Sequence, residues 1–501
     1  MFDNENGTLS KATWSQRCPW LLIFRTFRLA VDFRLLVMGA TGIFLTMLGW
    51  AILATIFLAD SNDLQVQLDI DRNNLAEAQA NLDAVKGASA KELGQLKAQL
   101  QVAQAAYERT QSDIQMSQWT RPANGCPWQA IEGAVENSPT VPSVPTPAKT
   151  GRLAATPWQA VDPFTGVWAQ LSRPLWAALD FKLGVSGLAC LTLCGLWSLA
   201  VWAFFGAAIS RIAAVQLACD ERVGWMPALR FAGAKWRSFF AAPVVPMVGV
   251  AVLALFIFIP GLLMNFNAGV LVVGLCLWPL FLLAGLLMAV LLLGLILGWP
   301  LMWGTISTEG TDSFDALSRS YNYVFQRPLH YLFYALLAAV FGALGWVLVQ
   351  NFAGGVVGLT YQTAGWGAGS NEIAESEEKA ESEKGDERSV PRIDSIVNSP
   401  DNLGGVGTAG ARIIHFWAGC VKLLAVGFIY SYFWTASTAI YLLLRRDVDD
   451  TELDDVFLDE DTSEATFGLP PLVTDTAGAP VVADTPPLPE ADTTEEDEPQ
   501  S

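Results

Sequence analysis

Long apolar runs dominate the pattern of hydrophobic and polar positions along this chain. Residues 238–308 pass without a single Asp, Glu, Lys or Arg, a stretch of 71 residues. A water-facing surface cannot be built from such a stretch, so its predicted surroundings are the hydrocarbon of a bilayer. Six runs reach the roughly 20 helical residues that cross this hydrocarbon. They are residues 35–59, 183–210, 242–264, 268–298, 328–349 and 423–444. The sequence therefore predicts an all-α integral membrane protein with six transmembrane helices.

The fourth run is longer than a bilayer requires. Its helix is expected either to tilt or to break near Pro279 or Gly285. Three spans would also fit the charge-free block by length. We favour two, because Asn265 and Asn267 mark the only polar turn within that block.

Basic residues beside the runs set the expected orientation. In a six-span arrangement, those in short loops all fall on one side, which the positive-inside rule makes the cytoplasm. They are Lys11, Arg17, Arg25, Arg28, Arg34, Arg211, Arg222, Arg230, Lys235, Arg237, Arg319, Arg327, Arg445 and Arg446. A seventh span would move the last two outside, which counts against it. Both chain ends are therefore expected in the cytoplasm, an N-in/C-in topology.

The segment after the first run, residues 60–118, carries a heptad pattern and is expected outside. Its first half places leucines seven apart, and its second half spaces apolar residues by four and three, as on the seam of a supercoiled helix. These positions are Leu68, Leu75 and Leu82, then Leu96, Leu100, Ala103, Tyr107, Thr110 and Ile114. We predict an antiparallel coiled-coil hairpin that turns near residues 86–90. The alternatives are one long helix that pairs with another subunit, and a solvated alanine-rich helix.

Residues 61–117 resemble the coiled-coil hairpins of bacterial membrane-fusion (periplasmic adaptor) proteins, which also follow one N-terminal span. The likeness rests on the heptads and on the richness in Ala, Gln and Leu. It stops there, because residues 121–163 are rich in Pro, Thr, Ser and Ala and show no alternating strand pattern. Segment 61–117 is expected to bind a protein partner or to self-associate.

The remaining segments differ in composition from the spans, and they complete the predicted organisation. In chain order it comprises a cytoplasmic segment with an amphipathic helix (1–34), the first span (35–59), the periplasmic hairpin (60–118), a Pro-rich periplasmic linker with an interfacial segment (119–182), spans two to five with two inner amphipathic loops (183–352), a periplasmic acidic low-complexity loop (353–422), the sixth span (423–444) and an acidic, disordered cytoplasmic tail (445–501). Disorder is also expected at 372–392, a Glu-rich stretch without aromatics.

The net charge of −19 is concentrated in one place. Residues 447–501 hold 11 Asp, 7 Glu and no Lys or Arg, which leaves −1 for the rest of the chain. Without a basic footprint, nucleic-acid binding is not expected. The tail is either a solvated, repulsive segment or a docking site for a basic cytoplasmic partner.

The two inner loops look alike. Glu221 and the pair Ala228-Leu229 recur as Glu309 and Ala316-Leu317 at an offset of 88. This pattern favours two tandem parallel units, formed by spans two–three and four–five, although a biased composition also produces such matches by chance. Parallel repeats occur in transporters.

Two stretches carry a second resemblance. The segment TDSFDALSRSYNYVFQRP at 311–328 and the segment YLLLRRDVD at 441–449 resemble uncharacterised multi-span inner-membrane proteins of planctomycete-type bacteria. The likeness covers spans two to six. It implies a location in the bacterial inner (cytoplasmic) membrane, surrounded by membrane lipids, and it implies no assigned activity.

Residues capable of catalysis or metal binding are sparse. His330 and His415 fall on opposite sides of the predicted membrane, and the spans contain no Asp or Glu. We therefore predict no catalytic residue, no cofactor-binding residue and no metal ligand. Ser431, Thr435 and Thr438 share one face of span six, where they either line a polar path or bind helices together.

These features favour a non-enzymatic bacterial inner-membrane scaffold or complex subunit. It would act through its periplasmic coiled coil and its acidic cytoplasmic tail. The alternative is a transporter or channel for an apolar or lipid-like substrate.

Overall fold

A computed structural model describes residues 19–58, 61–84, 90–120, 163–178, 184–367 and 405–457. This part of the chain is helical and contains no strand, and six of its helices are long and apolar enough to cross a membrane. The predicted all-α class and the six spans of a multi-pass membrane protein are confirmed to this extent. The predictions for the linker at 121–162, the stretch 372–392 and the tail beyond 457 lie outside the described residues.

The helices are numbered in chain order. They are α1 (Leu22–Ala30), α2 (Phe33–Phe57), α3 (Ser61–Ala84), α4 (Ala90–Thr120), α5 (Pro163–Ala178), α6 (Val185–Ala218), α7 (Trp225–Gly261), α8 (Asn267–Val272), α9 (Trp278–Glu309), α10 (Ser313–Gln326), α11 (Pro328–Gly367) and α12 (Gly405–Asp449).

Most of the spanning helices are longer than the apolar runs that predicted them. Helix α7 begins at Trp225, well before residue 242, and α12 begins at Gly405 rather than at residue 423. An apolar run marks only the part of a helix that suits hydrocarbon. Backbone hydrogen bonds continue wherever neighbouring helices still provide packing, so the helix extends beyond the apolar run.

The charge-free block forms two helical spans, as predicted. Helix α7 ends at Gly261, a 3₁₀ turn follows at Leu262–Asn265, and α8 begins at Asn267. A π-helical turn at Val273–Leu277 then separates α8 from α9. Pro279, at the start of α9, cannot donate a hydrogen bond to the preceding turn, and this is the position where the sequence predicted irregularity.

Helix α12 is the centre of the helical body, and residues 425–445 along it are buried without interruption. Its approach to α2 is backbone to backbone at Gly39 and Gly427, where an added Cβ on either residue would collide with the other helix. Small residues allow such close contacts, which supply van der Waals attraction where hydrocarbon surrounds the helices.

Aromatic side chains fill the space between α6, α9 and α12. The rings of Trp303 and Trp434 stack with centroids 4.3 Å apart, and those of Trp202 and Tyr430 with centroids 4.6 Å apart. All four are fully buried. Gly206 makes room for this cluster, because a Cβ there would clash with two of the indoles.

Helix α5, which lies in the predicted interfacial segment, packs against the long helices. Phe164 and Val167 are buried, and Trp168 Nε1 donates a hydrogen bond to the carbonyl of Ile296 in α9 at 2.9 Å. The apolar face of α5 therefore packs among the long helices. Aromatic richness alone could not distinguish a lipid-facing surface from a protein-facing one.

Candidate functional site

Helices α3 and α4 pack side by side, and each carries a series of buried or half-buried residues at intervals of four and three. On α3 these are Leu64, Leu68, Asp71, Leu75, Ala78 and Leu82. On α4 the corresponding series is Leu96, Leu100, Ala103, Tyr107, Thr110, Ile114 and Ser117. Every position that the heptad pattern selected belongs to one of the two series.

A carboxylate lies within this contact. Asp71 is only 6% exposed, and its Oδ2 accepts a hydrogen bond from Thr110 Oγ1 on α4 at 2.7 Å. Its Oδ1 accepts from Gln67 Nε2 at 3.1 Å. Both carboxylate oxygens are thus hydrogen-bonded, which offsets the cost of burial. A polar residue in a helical seam disfavours other alignments of the two helices, because those would leave it without its partner.

The outer surface of the pair carries isolated apolar side chains. Val66 and Ile70, one turn apart on α3, are 61% and 47% exposed, and Val102 on α4 is 71% exposed. β-Branched residues at solvent-facing helix positions contribute little to helix stability. An apolar contact with another molecule would release water from these side chains.

A buried ion-pair cluster joins the ends of α9 and α12. Glu309, the last residue of α9, lies 3.3 Å from Arg445 Nε through its Oε1, and the two side chains are 10% and 8% exposed. The same oxygen accepts hydrogen bonds from Arg319 Nη1 at 3.0 Å and from Tyr441 Oη at 2.6 Å. One carboxylate therefore holds three helices, α9, α10 and α12, together.

The chain that follows α12 is attached to the same cluster. Arg445 Nη2 lies 2.9 Å from Asp455 Oδ2, and its Nη1 donates to the Asp455 carbonyl at 2.5 Å. Tyr323 on α10 donates a hydrogen bond to the carboxylate of Asp449, and burial raises the pKa of this tyrosine well above its usual value. These bonds fix the first residues after α12 against the helical body.

Sequence reasoning missed the Glu309–Arg445 pair. It treated Glu309 as a marker of the repeat and Arg445 as a determinant of orientation only. The one available signal was an acidic residue at the end of the charge-free block together with a basic residue at the end of the last apolar run.

The sites singled out for possible chemistry are not brought together. His330 lies near the ring of Tyr334 on α11, and His415 lies on α12. The described residues contain no group of three or more His, Cys, Asp or Glu that could hold a metal ion.

The hydroxyl-bearing face of α12 bonds to backbone carbonyls. Ser431 Oγ donates to Ala30 O at 3.0 Å, Thr435 Oγ1 to Ser431 O at 2.9 Å and Thr438 Oγ1 to Trp434 O at 2.9 Å. All three side chains are buried. Their hydroxyls are thereby satisfied within the protein.

The offset of 88 recurs in the helix boundaries. Helix α7 begins at Trp225 and α10 at Ser313, and both Ala228 and Ala316 are fully buried. The two units then diverge, because α7 runs on unbroken while α10 ends before Arg327 and a new helix begins at Pro328.

No protein-family model, no curated protein and no solved structure matches this chain.

Proposed function

We propose that this chain is a non-enzymatic scaffold or complex subunit of the bacterial inner membrane, with both ends in the cytoplasm. In this proposal, α3 and α4 form an antiparallel coiled-coil hairpin in the periplasm that binds a protein partner or a second copy of the chain. The acidic tail is its second interaction segment, on the cytoplasmic side.

The observation that carries the proposal is the pair of exposed helices α3 and α4 beside a body whose centre is packed with aromatic side chains. These two helices are far more polar than the spans, their seam is closed by Asp71 and Thr110, and apolar residues remain on the outside. Met116 at the base of α4 packs into the core of the body, and the rest of the arm provides a surface for contact. The stacked indoles between α6, α9 and α12 supply packing in the place where a transport pathway would need space.

Site-specific photo-crosslinking in intact cells tests the role of the arm. A photoreactive residue at Val66 or at Val102 is expected to give a product of defined mass that contains the partner or a second copy. The matched positions Gln79 and Gln104 are also exposed on these helices and should give none. Absence of a product at all four positions would contradict the proposal.

Pairing of α3 and α4 within one chain is tested separately from partner binding. A double variant with Asp71→Cys and Thr110→Cys places two thiols where the side chains already meet. A hairpin gives a disulfide within one chain, which migrates as a monomer without reductant. A disulfide between chains would instead indicate the arrangement of long helices that pair across subunits.

Orientation is tested with a protease added to right-side-out spheroplasts. The tail is expected to survive while the segment around α3 and α4 is cleaved, because only the latter is exposed to the periplasm in the proposed topology. Loss of the tail would overturn the N-in/C-in arrangement.

The second candidate is a transporter or channel for an apolar or lipid-like substrate. It is favoured by the offset of 88 between the starts of α7 and α10, since parallel structural repeats recur in transporters. Reconstitution into vesicles with a fluorescent lipid tests it. Transfer across the bilayer that depends on the protein would support transport over scaffolding.

A further inference from the structure

A mixed-charge cleft lies between helix α1, the start of α2 and the end of α6 with the loop that follows it. It has a volume of about 380 Å³ and is lined by Arg25, Arg28, Asp32, Asp220 and Arg222, among others. Helix α1 contributes the first two arginines, the bend before α2 contributes Asp32, and the loop after α6 contributes the rest. The cleft is independent of the arm and of the Glu309 cluster.

The placement of the arginines follows from the amphipathic pattern of α1. Leu22, Ile23, Thr26 and Ala30 face the protein and are buried, which turns Arg25 and Arg28 outward. Asp32 then accepts a hydrogen bond from the backbone N–H of Arg34 at 3.1 Å and caps α2. The chain bends at this cap between α1 and α2, and the arginines of α1 face the loop after α6.

Ion pairs within the cleft neutralise only part of its positive charge. Asp32 pairs with Arg34 at 2.7 Å, and this hydrogen bond, with a smaller contribution from the charge of Arg222, keeps the pKa of Asp32 below its usual value. Asp220 pairs with Arg25, at a position where both side chains are largely exposed. Arg28 and Arg222 are exposed, and no ion pair holds either of them in the described part of the chain. Arg28 and Arg222 therefore remain outside the direct ion pairs of the cleft, whose lining holds three arginines and two aspartates.

Exposed apolar residues adjoin the cleft residue Asp32 in the chain. Val31 and Phe33 flank Asp32 and are 41% and 67% exposed, and Phe33 is the first residue of the first spanning helix. The boundary between water and hydrocarbon therefore passes beside the cleft. A soluble anion would use only the arginines, whereas an amphiphile uses both the arginines and this apolar edge.

We propose that this cleft binds the phosphodiester headgroup of an anionic phospholipid through Arg28 and Arg222, with the acyl chains along Val31 and Phe33. Guanidinium groups bind phosphate oxygens in a forked geometry, and basic residues at the membrane surface attract anionic lipids. The Arg25–Asp220 pair forms the rim of the site and does not need to break.

Native mass spectrometry of the full chain in detergent tests the proposal. Titration with phosphatidylglycerol is expected to give one tightly bound lipid, in preference to phosphatidylcholine. The double variant Arg28→Gln with Arg222→Gln should weaken this binding by about 30-fold, from the attraction per basic residue at a membrane surface. Both residues are exposed, so the variant should fold normally.

The matched control is the double variant Arg230→Gln with Arg237→Gln, which removes the same charge from exposed positions outside the cleft. It should change the affinity by less than about 3-fold. Replacement of Arg28 and Arg222 by Lys keeps the charge and should retain most of the binding.

Three outcomes would overturn the proposal. An equal loss in the control variant would show that only the overall charge matters. Equal binding of phosphatidylcholine would exclude selection for an anionic lipid. Displacement of the lipid by inorganic phosphate at equal concentration would show that the occupant is a soluble anion.

Discussion

The buried cluster around Glu309 predicts a large energetic effect from a single substitution. Glu309→Ala removes the carboxylate that contacts Arg445, Arg319 and Tyr441. Removing one partner of a buried ion pair costs about 3–5 kcal/mol, because the remaining charge stays buried. Arg445 keeps Asp455 as a second partner, so the expected loss in unfolding free energy is about 3 kcal/mol, at the lower end of this range.

Removal of the arginine of this pair is expected to lower the free energy of unfolding by less than removal of Glu309. After Arg445→Met, Glu309 still accepts hydrogen bonds from Arg319 and Tyr441, and the expected loss is about 2 kcal/mol. The double variant should lose less than the sum of the two, with a coupling energy of about 1–3 kcal/mol, because neither charge is then left without the other.

Unfolding in mixed micelles, followed by tryptophan fluorescence, measures these differences. The fluorescence reports on the body directly, since Trp303 and Trp434 are buried at its centre. Glu221→Ala is the matched control, because Glu221 is an exposed glutamate that lies 88 residues before Glu309. It should change stability by less than about 0.5 kcal/mol. A Glu309→Ala variant as stable as the control, or a coupling energy near zero, would show that the ion pair does not stabilise the body.

Three further predictions concern single positions. Thr110→Val removes a hydrogen bond to the buried Asp71 carboxylate and should speed hydrogen exchange in α3 and α4, with a loss of about 1.5–3 kcal/mol in local stability. Gly39→Ala should destabilise the body by about 1–3 kcal/mol in micelle unfolding, because the new methyl group would collide with the carbonyl of Gly427. Burial raises the pKa of Asp113, so its contribution to stability is full below the unfolded value of 3.8 and is lost as the pH rises through the folded value. Asp113→Asn should therefore slow hydrogen exchange in α4 at pH 7 and abolish this part of the pH dependence.

Each of these predictions has a control within the chain. Thr110→Ser keeps a hydroxyl and should retain most of the protection. Gly355→Ala places a methyl group inside α11 where nothing lies within 4 Å, and should raise stability by about 0.5–1 kcal/mol, because alanine favours a helix more than glycine does. Asp83→Asn changes an exposed carboxylate on α3, and should leave both exchange and its pH dependence as they are. Equal effects of a substitution and its control would contradict the corresponding argument.

The sequence predicted the parts of the fold that depend on local pattern. The six spans follow from the length of apolar runs, the turn at Asn265 and Asn267 from its polarity, and the inward positions of α3 and α4 from their spacing. Contacts between distant segments could not be predicted in this way. The positions of Glu309 and Arg445 at the ends of apolar runs do not reveal that the two side chains meet, and nothing in the local pattern indicates that Trp168 reaches a carbonyl on α9.

The contact between Gly39 and Gly427 has a consequence for biosynthesis. The two glycines are 388 residues apart, so a ribosome that adds 5–20 residues per second needs roughly 20–80 s to deliver the second after the first. Throughout that interval the surface of α2 around Gly39, which α12 covers in the folded protein, has no native partner. Insertion of this protein therefore includes a waiting period in which lipid tails or an assisting factor must fill the place that the last helix finally takes.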